Sequence, residues 1–100
     1  MTITKEINDG CVTFRLDGWL DTLSSPELGR EIDAITEAKA ITLDFDKVEY
    51  MASSGLRQVV ACHRKAKELG AALSIVNVGN ETMTIFRMTG LDKKLPVFAK

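Results

Sequence analysis

An α/β fold in one domain, residues 1–100, follows from the chain's length, its strand–helix alternation and the even spread of its glycines. One hundred residues suit a single domain that buries a core without disulfide or metal staples. Glycines recur from Gly10 to Gly90 and the only prolines are Pro26 and Pro96, so no Gly/Pro/Ser-rich stretch separates two units. The segments read in the order β-β-α-β-α-β-α-β. That order predicts a mixed central sheet of four to five strands, right-handed parallel crossovers, and helices packed on the sheet.

The first strand is Thr2–Ile7, stopped by Asn8-Asp9-Gly10, a hairpin signal between two alternating runs. Val12, Phe14 and Leu16 then alternate with Cys11, Thr13, Arg15 and Asp17, the period of a half-buried strand. Gly18 and Trp19 lead into a loop over 20–23. The first helix starts at Ser24 or Ser25. With Ser25 as N-cap, Pro26 takes the favoured first position; with Ser24 as N-cap, Glu27 completes a capping box. Leu28, Ile32 and Ile35 share one face, and Glu27, Arg30, Glu31 and Glu37 face water. Residues 40–45 form a central strand with Ile41, Leu43 and Phe45 on one side, followed by a short connection over 46–51. The second helix runs from about Ser54 to Leu69, with Leu56, Val59, Val60, His63 and Ala66 on one stripe and Gly70 closing it. Residues 71–78 are a third buried strand. A last helix runs from an Asn80 cap through Met88 to Gly90, and residues 95–98 add a short terminal strand.

Composition excludes several functions. Thirteen Lys and Arg against fourteen Asp and Glu leave a net charge of −1. That is no surplus of cations for a phosphate backbone or anionic lipid. No apolar run approaches the roughly 20 residues of a membrane span, and MTITKEINDG lacks the basic-then-apolar order of a secretory signal. Cys11 and Cys62 lie far apart without a CxxC, which reads as reduced thiols of a cytoplasmic protein. One histidine and two scattered cysteines make no metal set. GxGxxG and GxxxxGK[ST] are both absent, and no cofactor is expected.

The segment Tyr50-Met51-Ala52-Ser53-Ser54-Gly55-Leu56 joins the central strand to an amphipathic helix. Two hydroxyls therefore stand at a helix N-terminus, where unpaired N–H groups and the dipole favour an anion. A phosphate there is held by the backbone. The plainer role for either serine is an N-cap worth about 1 kcal/mol. A hydrolase elbow, G-x-S-x-G, fails because Met51 stands at its first glycine. The single His63 falls on the apolar stripe and reads as a packed side chain; its neighbour Cys62 cannot face it on a helix. Asp44 and Asp46 read as a solvated rim at a strand end, and Asp21 follows the other strand end. Trp19 is either a lid over the first helix or an exposed anchor for a partner. Met83, Phe86 and Met88 read as core.

Leu43-Asp44-Phe45 followed by Val48-Glu49-Tyr50-Met51-Ala52-Ser53-Ser54-Gly55-Leu56 resembles the core motif of the STAS domain, a family that includes bacterial anti-sigma-factor antagonists. Leu16-Asp17-Gly18-Trp19-Leu20-Asp21 is similar to that family's G-x-(L/I)-D loop, and Phe86-Arg87-Met88-Thr89-Gly90-Leu91 to its penultimate helix and turn. The resemblance runs through nearly the whole chain in order. It implies helices packed mainly on one face of the sheet and a non-enzymatic regulatory binding module. Such an antagonist, dephosphorylated, binds an anti-sigma factor that is also a serine kinase, which frees the sigma factor. The kinase then phosphorylates a hydroxyl at the start of the second helix and the complex parts. Matched position by position, the acceptor is Ser53, with Ser54 as second choice, and the partner face includes Trp19, Asp21, Ala52, Ser53, Ser54 and Gly55. Repulsion from nearby Asp21 or Asp46 would assist release. Ala52 departs from the pattern, which usually has an Asp before the acceptor. Other members serve as small subunits of transport ATPases or other signalling complexes without a phosphorylation switch, the alternative reading. The implied molecule is cytoplasmic, a monomer or weak dimer, with no direct nucleic-acid contact and no membrane insertion.

Overall fold

Asp9 and Gly10 both adopt positive φ, 51° and 81°, the pair of left-handed residues that a type I′ hairpin loop requires. In the computed structural model, which describes all residues Met1–Lys100, they fold β1 (Thr2–Asn8) antiparallel onto β2 (Cys11–Leu20). There follow α1 (Ser25–Asp33), β3 (Ala40–Met51), α2 (Ser53–Leu69), β4 (Ala72–Val78), α3 (Asn80–Met88), a 3₁₀ turn (Leu91–Lys93) and β5 (Val97–Ala99). The strands lie in the order β1-β2-β3-β4-β5, antiparallel at the first pair and parallel at the other three. The mixed sheet has five strands, at the upper end of the four to five that the sequence predicts.

One face of the sheet carries the core. Val12, Phe14 and Leu16 of β2, Ile41, Leu43 and Phe45 of β3, and Leu73 and Ile75 of β4 are buried there. Leu28 and Ile32 of α1, Val59, Cys62 and Ala66 of α2, and Met83 and Phe86 of α3 join the same apolar cluster. All three helices thus pack on one face. The other face presents Thr13, Thr42 and Ser74 in register across β2, β3 and β4, with Cys11, Arg15 and Asp17 exposed.

Five local expectations need correction. β2 does not stop at Gly18, nor β3 at Phe45: they continue side by side to the pairs Trp19↔Tyr50 and Leu20↔Met51. Register shifts at Arg15/Asp17 and Gly18/Trp19 break the alternation without ending the ladder. Neither capping arrangement forms at α1, because Ser24 is itself helical (φ −92°, ψ −25°) and its hydroxyl bonds elsewhere. The buried stripe of α2 is Gly55, Val59, Cys62 and Ala66, one residue round from the expected one, so Cys62 and not His63 faces the sheet. Burial pushes the Cys62 thiol up to about 12, which leaves no thiolate at neutral pH. Gly79, not Asn80, occupies the cap of α3. Met88 is 81% exposed, so only Met83 and Phe86 of that group are core.

Candidate functional site

β2 and β3 end side by side at one rim, and each hands the chain to a helix. The Ala52 N–H donates to the Leu20 carbonyl at 2.9 Å, tying the start of α2 to the end of β2. Gly55 makes the approach possible. A Cβ there would stand 2.6 Å from Leu20 Cγ and 2.8 Å from the Leu20 carbonyl oxygen. The first turn of α2 therefore sits directly against the segment that leads to Asp21.

That segment is a self-bonded loop. Asp21 Oδ1 accepts from the backbone N–H groups of Leu23 and Ser24, both at 3.1 Å. The Ser24 N–H, with the Ser24 hydroxyl and the Leu23 N–H after it, holds the Asp21 carboxyl below the usual aspartate range. The Ser24 hydroxyl accepts from the Asp21 N–H at 2.9 Å and donates to the Trp19 carbonyl at 2.6 Å. Buried Ser25 donates its hydroxyl to the Asp21 carbonyl. The carboxylate thus fixes its own loop while staying at the surface.

The two serines of α2 play different parts. Ser54 is half-buried, with its hydroxyl 3.4 Å from that of Ser25 and 3.5 Å from that of Thr22, so it packs between the starts of the two helices. Ser53 is exposed and its hydroxyl makes no hydrogen bond within the chain. Neither is the N-cap. Ala52 takes that position in an extended conformation (φ −85°, ψ 171°), and no side chain accepts from the first-turn N–H groups. An anion carried on Ser53 would find those N–H groups and the positive end of the dipole unopposed, since the first turn holds no acidic residue. The backbone at Ala52 already suits a capping side chain. Ala52→Asp is therefore expected to stabilise the fold by about 1 kcal/mol, a rise of roughly 4–8 °C in the thermal unfolding midpoint.

Trp19 is not a lid over α1. It is 56% exposed and lies against Tyr50, itself 47% exposed, with ring centroids 5.3 Å apart. Tyr50 and Thr22 join the rim through strand register and helix packing, which local sequence does not display. Asp46 leaves it: β3 continues from Asp46 for about 16 Å, and Asp46 pairs instead with Lys100 at 3.4 Å. Half-buried Asp44 accepts from Asn77 Nδ2 and the Asp46 N–H, both at 3.0 Å. This anchors Asn77 at positive φ, 58°. His63 lies about 15 Å further along α2 than Ser53 and makes no side-chain hydrogen bond. The structure brings together Trp19, Asp21, Ala52, Ser53, Ser54 and Gly55, and separates Asp46 and His63 from them.

The likeness to known proteins extends over nearly the whole chain. Over 94 residues the chain is 27% identical to the anti-sigma-B factor antagonist of Bacillus subtilis (strain 168), covering 93% of this chain and 86% of that protein. The crystal structure of an anti-sigma factor antagonist from Mycobacterium paratuberculosis superposes with a TM-score of 0.87 at 29% identity, covering 99% of this chain and 86% of that one. A sulfate transporter family protein from Wolinella succinogenes shares the fold, with a TM-score of 0.81 at 18% identity over 94% of this chain and 80% of that one. No helix is long and apolar enough to cross a membrane. With the family model for the STAS domain matching residues 2–100, the chain belongs to the STAS domain family, alongside anti-sigma factor antagonists.

Proposed function

We propose that this protein is an anti-sigma-factor antagonist that binds a serine-kinase anti-sigma factor when dephosphorylated and is released when Ser53 is phosphorylated. One observation carries the assignment of the acceptor: of the two adjacent hydroxyls, Ser53 is the one free of internal bonds and open to solvent. Asp21 and Trp19 belong to the same rim and form the face offered to the kinase. A phosphoryl group adds about −1.5 to −2 charges to a chain of net charge −1. It leaves the fold intact because the N-terminus of α2 favours it. The partner surface is what it disturbs. On this reading the protein acts by binding and performs no reaction of its own. It works in the cytoplasm as a monomer or weak dimer.

The test is capture from the native cell with wild type, Ser53→Ala and Ser53→Asp. A kinase-type partner is expected with the first two and lost with the third. Equal recovery by all three overturns the switch. Recovery of a transport ATPase instead favours the alternative, a STAS subunit without a switch. The Ala52 departure and the likeness to the Wolinella protein are its support, and that likeness is one of fold alone.

A further inference from the structure

We infer that the groove between α2 and the 3₁₀ turn receives an acidic, amphipathic helical segment of the partner protein; this deepens the reading of the Ser53 rim as a partner-binding face and rests on it. The groove has a volume of about 470 Å³ and begins at Ser53. Its floor is apolar: Leu56, Val60 and Ala61 of α2, with Leu91 opposite, all half-buried. Its wall is cationic, formed by exposed Arg57 and Arg64, two helical turns apart or about 10 Å of axial rise. No carboxylate lines it.

The two guanidinium groups have no partner within the chain. The ion pairs are Arg15 with Glu6 and Asp44, and Lys100 with Asp46. Neither Arg57 nor Arg64 donates a side-chain hydrogen bond. Two unpaired cations flanking an apolar strip, in a chain of net charge −1, are complementary to a helix whose apolar stripe fills the floor. Its Asp or Glu side chains, one to two turns apart, meet the arginines in forked bonds. An anionic membrane is a poorer match, since stable attachment to a lipid surface takes a cluster of basic residues and this groove has two.

The groove also sharpens the switch. Ser53 and Arg57 are four apart on one helix and so are neighbours on its surface. A phosphoryl group on Ser53 would engage the Arg57 guanidinium that the acidic segment needs, and would repel that segment as well.

The test uses ¹⁵N-labelled protein and two synthetic helical peptides with the same Leu stripe, one flanked by Glu and one by Lys. The Glu peptide is expected to shift the amides of Leu56, Val60, Ala61 and Leu91, and the Lys peptide to leave them in place. Arg57→Glu with Arg64→Glu weakens the Glu peptide by about tenfold or more while the thermal unfolding midpoint stays unchanged, and Ser53→Asp weakens it as well. Equal shifts with both peptides, shifts confined to other residues, or binding that survives charge reversal overturns the proposal. So does co-sedimentation with phosphatidylcholine–phosphatidylglycerol vesicles that is lost on the same reversal, because the occupant is then a lipid surface. Failure here leaves the Ser53 capture experiment standing, since that reads partner release and not the chemistry of one groove.

Discussion

Gly55→Ala lowers the stability of the fold by about 2 kcal/mol, read as a fall of roughly 8–16 °C in the thermal unfolding midpoint. The added Cβ meets Leu20 Cγ at 2.6 Å and the Leu20 carbonyl oxygen at 2.8 Å. The side chain could turn only by disturbing a fully buried residue. The carbonyl is less free still, because it accepts the Ala52 N–H that ties β2 to α2. Overpacking of this kind costs about 3 kcal/mol at its upper end, offset in part by alanine's helix preference of up to about 1 kcal/mol. Gly29→Ala is the matched control. Its Cβ would meet Gln58 Oε1 at 2.9 Å, the free end of a flexible side chain that swings aside, so helix preference makes the change neutral or stabilising. If the two variants melt alike, the first turn of α2 is free to retreat from Leu20, and the placement of Ser53 beside Asp21 is not fixed by packing.

What could be read from the sequence divides by the range of the interactions involved. The hairpin was legible because Asp9 and Gly10 determine it locally, and the inward faces of β2 and β3 because period two is visible residue by residue. The extensions of those strands were not, since each register shift resets the alternation. Ser24 and Glu27 have the spacing of a capping box, yet Asp21 and the Trp19 carbonyl claim the Ser24 hydroxyl first. At the site, the hydroxyls of Ser53 and Ser54 were legible as a pair at a helix start. Their difference was not, because it depends on Ser25 and Thr22 from a different helix and loop. The place of Tyr50 beside Trp19 has no local signal for the same reason: only the parallel register creates it.

If the partner is the serine-kinase anti-sigma factor proposed above, Trp19→Ala is expected to weaken its binding by about 2 kcal/mol, close to thirtyfold in Kd, by calorimetric titration. The unfolding midpoint should move little. A tryptophan 56% exposed contributes little to the core. Within the chain its loss removes mainly the contact with half-exposed Tyr50, at this exposure about 0.5 kcal/mol or roughly 2–4 °C. Bound to a partner, the same ring is an apolar body on a rigid strand end, already ordered by Tyr50, and pays little entropy to be buried. Trp19 is the only tryptophan, so its emission reports that burial directly. Emission should shift to the blue on adding the partner to wild type or Ser53→Ala, and stay in place with Ser53→Asp. Unchanged emission with tight binding would put the aromatic pair outside the interface. The contact surface would then lie on the Arg57 side of Ser53, because the two patches diverge from that residue: one onto the strand ends, the other along α2.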